Sequence, residues 1–132
     1  MPTNAAGQQW LATKEKEDGV VKLPSGLMYK VIETGSGSTS PLAGTPIDAN
    51  YEGFLIDGTK FDSSFDRGKP LSCKPNQVVP GWTEALQLMK EGDKWELFIP
   101  SELGYGDAGT PGGPIPPQAA LHFIMQLVKI KA

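Results

Sequence analysis

Sixteen glycines and twelve prolines cut this 132-residue chain into short segments. Each segment is short, because glycine loosens and proline breaks regular structure. Between these breaks stands a recurring set of apolar residues: Tyr51, Phe61, Val78, Val79, Trp82, Tyr105, Ile115 and Phe123. One acid, Asp62, lies among them. The set suits one apolar pocket holding one carboxylate and one phenol, fit for a small apolar group with a polar amide beside it. No nucleophile, metal cage or phosphate loop accompanies it, so the chemistry it suggests breaks no covalent bond.

The length suits one domain with its own core. The formal net charge of -3 and the absence of Lys/Arg runs argue against nucleic acid as a partner. Lys14, Lys16 and Lys22 are interleaved with Glu15, Glu17 and Asp18, as on a solvated helix face. Cys73 is the single cysteine, which excludes an internal disulfide. No apolar stretch approaches the roughly 18 residues of a membrane span. The first residues lack the basic and apolar regions of a signal peptide. A full-length chain is expected in the cytoplasm. If an upstream signal peptide was removed, a secreted or periplasmic location is the alternative.

Residues Asn4 to about Glu17 predict a helix capped by Asn4 and ended at Asp18-Gly19. Its apolar content is mainly Trp10 and Leu11, too little for stability alone, so it must dock. From Ser25 the period changes to two: Leu27, Tyr29 and Val31 alternate with Met28, Lys30 and Ile32. Ile47 to Ile56 predicts a strand closed by the Asp57-Gly58 turn, and Lys60-Phe61 a short strand returning across it. Asp62-Ser63-Ser64 then breaks the alternation, as a bulge or bend does. Leu71 to about Lys74 predicts a further short strand. Trp82, Ala85, Leu86 and Met89 follow the spacing of an amphipathic helix, with Gly92 marking its end. Strands are predicted over Asp93 to Pro100 and Ala120 to Lys131, separated by an irregular Gly/Pro-rich stretch from Gly104 to Pro117. The expected class is α+β, with one helix against an antiparallel sheet.

Several candidate residues have an ordinary structural reading beside the functional one. Phe61 followed by Asp62-Ser63 is also a buried aromatic before a turn. Trp82 suits core packing, yet Pro80-Gly81 before it suits a backbone that leaves the Val79 N–H open to a substrate carbonyl. Flanking glycines let Tyr105 project from a loop or pin that loop to the sheet. His122, the sole histidine, has no catalytic partner signal and reads as a surface or packing residue. Cys73 reads as a small apolar filler, and no His/Cys spacing suggests zinc.

Taken in order, Tyr51-Glu52-Gly53, Asp57 through Ser64, Val78 through Trp82, Tyr105-Gly106 and Ile115-Pro116-Pro117 resemble the FKBP-type peptidyl-prolyl cis-trans isomerases. The resemblance covers about Val20 to Ala132. The segments Trp10 to Glu17, Gly19-Val20-Val21, Leu23 to Val31 and Gly112-Gly113-Pro114-Ile115 are similar to the macrophage-infectivity-potentiator subgroup. The resemblance implies a bent antiparallel sheet half-wrapped around one short helix, with an extra N-terminal helix. It divides the chain into a helical extension, 1–19, and an isomerase domain, 20–132.

The implied activity is cis-trans isomerisation of Xaa-Pro bonds in peptides and folding proteins, with no cofactor or metal. Trp82 is implied as the pocket floor, and Tyr51, Phe61, Val78, Ile115 and Phe123 as its walls. Asp62, the Val79 backbone and the Tyr105 hydroxyl are implied as its polar contacts, with Asp62, Tyr105, Trp82 and Phe123 the catalytic set. The same resemblance implies binding of tacrolimus and rapamycin. Cys73 falls where many members carry an aromatic wall residue, and Thr110 where some carry a histidine. In the subgroup a long helix often leads to a dimerisation region, and too little chain precedes the helix here for one, so a monomer is expected. Rival readings are a proline-pocket binding module without turnover and a folding helper that grips clients through its N-terminal helix. A covalent hydrolase lacks a nucleophile–base pair.

Overall fold

The computed structural model describes residues 3–106, 109–110, 113 and 115–131. Gly112 and Pro114 of the subgroup segment lie outside the described residues. The elements run α1 (Ala5–Glu15), β1 (Val20–Lys22), β2 (Met28–Glu33), β3 (Ile47–Leu55), β4 (Lys60–Ser63), α2 (Ser64–Arg67), β5 (Leu71–Cys73), α3 (Pro80–Leu86), β6 (Lys94–Ile99) and β7 (Leu121–Ile130). Single 3-10 turns at Pro75–Gln77 and Ser101–Leu103 precede α3 and follow β6. The strands form one antiparallel sheet in the order β1-β2-β6-β7-β3-β4, with β5 also paired to β3. The α+β expectation holds. Among the described residues no helix is long and apolar enough to cross a membrane.

Alternation decides which face is the core. Ile47, Ala49 and Tyr51 of β3, Trp95, Leu97 and Ile99 of β6, and Leu121, Phe123, Met125 and Leu127 of β7 are buried in one cluster. Trp82, Ala85, Leu86 and Met89 close that cluster from the helix side, at the predicted spacing. Pro80 opens α3 at its first position, where a missing N–H costs nothing, and Gly92 at φ 89° turns the chain into β6.

β3 pairs with β5 through its first half and with β4 through its second. Between them α2 interrupts what would be one continuous partner strand. The Ser64 hydroxyl replaces the missing ladder acceptor: it takes the Tyr51 N–H at 2.8 Å. Ser63 caps α2 by accepting the Asp66 N–H, and Gly68 closes it at φ 77°.

The N-terminal helix docks, as its thin apolar content requires. Asn4 accepts the Gly7 N–H at 2.8 Å, and its own N–H donates to Gln118 O at 2.8 Å. Trp10 lies edge-on to Phe98 (5.7 Å) and beside His122 (6.0 Å), on the face of the sheet away from α3. The helix stops at Glu15 rather than Glu17, because its last turn tightens: the Lys16 N–H reaches Thr13 O and the Glu17 N–H reaches Lys14 O. β1 is an element that sequence periodicity did not reveal. Its three residues carry too little pattern, and it exists through a turn at Leu23–Gly26 that pairs Val20 with Lys30.

Candidate ligand pocket

A cavity of about 450 Å³ opens between α3, the β3–β4 edge and the loop carrying Tyr105. It is lined by Tyr51, Phe61, Asp62, Leu71, Gln77, Val78, Val79, Trp82, Tyr105 and Phe123. Its size falls in the range of small-molecule and peptide-side-chain sites.

The strand register explains how Phe61 and Asp62, neighbours in sequence, both face it. Glu52 pairs with Ser63 and Gly53 with Asp62, but Phe54 pairs with Lys60. Phe61 is thus the extra residue of a β-bulge, and two successive side chains turn to one side. The break in alternation falls one residue earlier than Asp62-Ser63-Ser64 suggests. Gly53 makes this possible. A Cβ there would lie 2.6 Å from Phe61 Cζ and 2.7 Å from Phe123 Cε1. Without it, those two rings meet edge to face at 5.6 Å and 87°.

Trp82 stands at the bottom, 5 % exposed, with Tyr51 and Phe123 edge-on at 4.8 and 5.1 Å. Its indole Nε1 is buried and has no nitrogen or oxygen partner among the described residues. The floor is therefore an apolar surface built on three aromatic rings. Just before α3, Val79 takes an extended conformation (φ -58°, ψ 150°) and its carbonyl accepts the first helical N–H groups. The Val79 N–H itself donates to no acceptor among the described residues.

Asp62 is held from three sides. The Tyr51 hydroxyl donates to Oδ2 at 2.6 Å, the Ser63 N–H donates to Oδ1 at 2.9 Å, and Arg67 Nη1 also donates to Oδ1. Arg67 Nη2 donates to the Tyr51 oxygen at 2.8 Å, closing a triangle, and the guanidinium lies over the Tyr51 ring at 5.5 Å. Partial burial alone would raise the Asp62 pKa; the Tyr51 hydroxyl, Arg67 and the Ser63 N–H outweigh it and hold the carboxyl below its ordinary range. Asp62 is thus an anion at neutral pH and unsuited to proton transfer. Burial, with the Asp62 charge second, raises the Tyr105 phenol, which stays protonated and able to donate. The Tyr105 hydroxyl donates to no protein acceptor among the described residues, and the side chain is 40 % exposed.

The structure brings together Tyr51, Phe61, Asp62, Val78, Val79, Trp82, Tyr105 and Phe123. Ile115 is not among the lining residues. It is 4 % exposed within the core, and its backbone is tied to Thr110, whose N–H donates to Ile115 O and whose Oγ1 accepts the Ile115 N–H. Thr110 is thereby a loop brace. Cys73 does not line the cavity either; Leu71, two residues earlier on β5, supplies that wall while Cys73 packs against the core. Leu71, Gln77 and Arg67 are the residues sequence reasoning missed. For Arg67 a signal existed: a Ser cap at 63 and a Gly at 68 define one helical turn that carries residue 67 back to Asp62.

Residues 37–128 match the family model described as FKBP-type peptidyl-prolyl cis-trans isomerase, and residues 2–31 match one described as the domain amino terminal to it. The chain belongs to the FKBP-type peptidyl-prolyl cis-trans isomerase family. It is 50% identical over 125 residues to the macrophage infectivity potentiator of Trypanosoma cruzi, covering 95% of this chain and 63% of that protein. It is 46% identical over 127 residues to the outer membrane protein MIP of Legionella longbeachae, covering 96% of this chain and 54% of that protein. The crystal structure of FkpA from Escherichia coli superposes with a TM-score of 0.90 at 45% identity, covering 96% of this chain and 58% of that one. The chain therefore spans between about half and two thirds of the length of these relatives.

Proposed function

We propose that this chain accelerates cis-trans isomerisation of Xaa-Pro bonds in peptides and folding proteins, using the cavity over Trp82. The observation that carries the reading is an aromatic, half-closed cavity whose unengaged donors include the Val79 N–H and the Tyr105 hydroxyl, beside a fixed carboxylate.

An amide resists rotation by roughly 18–20 kcal/mol because resonance holds it planar. Xaa-Pro bonds populate both isomers and exchange over tens to hundreds of seconds. In the twisted transition state resonance is lost and the carbonyl becomes less polar. A dry aromatic cavity favours that state over the planar, water-bonded one. The proline ring sits on Trp82, between Tyr51 and Phe123. The Val79 N–H holds a neighbouring substrate carbonyl, so one side of the bond is fixed while the other turns. Asp62 acts through its charge and by holding Tyr51 in place. Shortening tens of seconds to milliseconds takes about four decades, or roughly 5–6 kcal/mol. Positioning and desolvation supply effects of that size without an acid, a base or a cofactor.

The same cavity is proposed to bind tacrolimus and rapamycin, with Leu71 rather than Cys73 setting the width of that wall. The division into an extension, 1–19, and an isomerase domain, 20–132, belongs to this reading, as does a monomer for the chain as given. For location, the outer-membrane designation of the Legionella longbeachae relative supports the secreted or periplasmic alternative, and the cytoplasmic expectation has no support from the relatives. The test is exchange of a short Xaa-Pro peptide followed by NMR: acceleration lost in Trp82→Leu supports the reading, and acceleration unchanged in a folded Trp82→Leu variant refutes it.

A further inference from the structure

We propose that Gln77 is a peptide-binding residue of this cavity, its carboxamide donating to a backbone carbonyl of the bound peptide that flanks the Xaa-Pro pair. The inference rests on the peptide-binding reading above. Gln77 ends the 3-10 turn Pro75–Gln77 and lines the cavity. Its Oε1 accepts the Lys74 N–H at 2.9 Å, and its backbone N–H donates to Lys74 O at 2.9 Å. A backbone N–H requires the oxygen of the amide, so the orientation of the carboxamide is fixed by chemistry. The Nε2 group, with two donors, therefore points away from Lys74. It donates to no acceptor among the described residues.

Two residues further on, the Val79 N–H is also without an acceptor. The rim thus carries two donor groups on one short segment, whereas Asp62 across the cavity is an acceptor already engaged by Tyr51, Ser63 and Arg67 and has no donor to offer a carbonyl. An extended peptide presents carbonyls at regular intervals along its backbone. One occupies the Val79 N–H, and Gln77 is placed to take another outside the rotating bond. Its contact is made equally before and during rotation, so it governs affinity rather than the barrier.

Gln77→Glu separates the roles, because a carboxylate still accepts the Lys74 N–H but offers no donor. With a proline tetrapeptide as ligand, the Gln77 Nε2–H₂ signals of the wild type should shift saturably together with the Val79 amide signal. In Gln77→Glu the Kd and KM should rise about threefold to tenfold, the range of one lost hydrogen bond, with kcat and melting temperature retained. The increase should vanish for the peptide shortened on one side of Xaa-Pro. Unchanged affinity in Gln77→Glu, or an increase that persists for peptides shortened on either side, overturns the proposal. The binding readout needs no turnover, so a wild type that binds without accelerating exchange refutes the isomerase reading alone. A wild type that neither binds nor accelerates refutes both.

Discussion

Tyr51 and Asp62 stand on adjacent antiparallel strands, and the Tyr51 hydroxyl donates to the Asp62 carboxylate at 2.6 Å. Arg67 reaches both, so a pocket wall and the one anion among the described lining residues are locked to each other. The contact is possible because the bulge at Phe61 turns Asp62 inward while α2 brings Arg67 back beneath it.

Asp62→Val should lower kcat/KM about tenfold or more, equivalent to about 1.4 kcal/mol of lost transition-state stabilisation. The carboxylate side chain is 43% exposed, but its removal leaves the hydroxyl of buried Tyr51 without its acceptor, so the melting temperature should fall modestly while the chain stays folded. Peptide-exchange kinetics and thermal unfolding on one sample check both halves. Full turnover in the folded variant would remove Asp62 from the mechanism.

Gly53→Ala tests the bulge. The added methyl enters the contact between Phe61 and Phe123, so the rings must separate or the strands must shift. Overpacking of this kind costs about 1–3 kcal/mol. The expected result is a lower unfolding midpoint in urea together with weaker peptide binding. A variant as stable as the wild type would mean that the two rings yield freely.

Arg67→Ala should raise the Asp62 pKa, since one of the groups holding it down is removed. Asp62 has a depressed folded-state pKa, so its contribution is present above the unfolded carboxylate value and is lost as pH falls through the folded one. The acid limb of turnover should move to higher pH in the variant. Carbon-13 titration of the Asp62 carboxyl measures the shift directly, and a titration identical to wild type would contradict the role given to Arg67.

His122 predicts a second pH effect, on stability. Its Nε2 lies 2.6 Å from Glu96 Oε2, and its ring stacks on Phe98 at 5.5 Å beneath Trp10. Burial lowers its pKa, with Glu96 and Glu17 opposing and Lys14 assisting. The folded state therefore binds the proton less readily than the unfolded one. Stability is full above the ordinary histidine range and falls as pH drops through it, levelling off below the folded value. His122→Gln should flatten that part of the curve of unfolding free energy against pH. An unaltered slope would place the titrating group elsewhere.

Most of the strands were legible because each carries enough alternation to identify its buried face, as in Ile47, Ala49, Tyr51 or Leu121, Phe123, Met125. β1 was not, because three residues of an edge strand take their state from the partner across the turn. The site shows the same division. Trp82 and Tyr105 stand out by residue type beside glycine and proline, and Asp62 as the acid where Phe61-Asp62-Ser63-Ser64 breaks the alternation. Leu71 and Gln77 are ordinary residues whose place depends on β5 and a 3-10 turn, and Ile115, buried in the same cluster as Trp82 and Phe123, is not among the residues that line the cavity. The Glu96–His122 pair joins neighbouring strands β6 and β7 across 26 residues of sequence, which no local pattern reveals.

Trp10→Ala separates fold from turnover. Loss of its edge contact with Phe98 and its contact with His122 should cost about 0.5–1.5 kcal/mol for each aromatic pair. Exchange of a short peptide should persist, because α1 lies on the face of the sheet away from the cavity. Loss of turnover in a variant still folded at the assay temperature would tie α1 to the site.

The most direct measurement is cis-trans exchange of a short Xaa-Pro peptide catalysed by this chain, with and without rapamycin. The account predicts rapid exchange that rapamycin suppresses as it fills the cavity over Trp82. A folded chain that leaves the peptide at its spontaneous rate would contradict it.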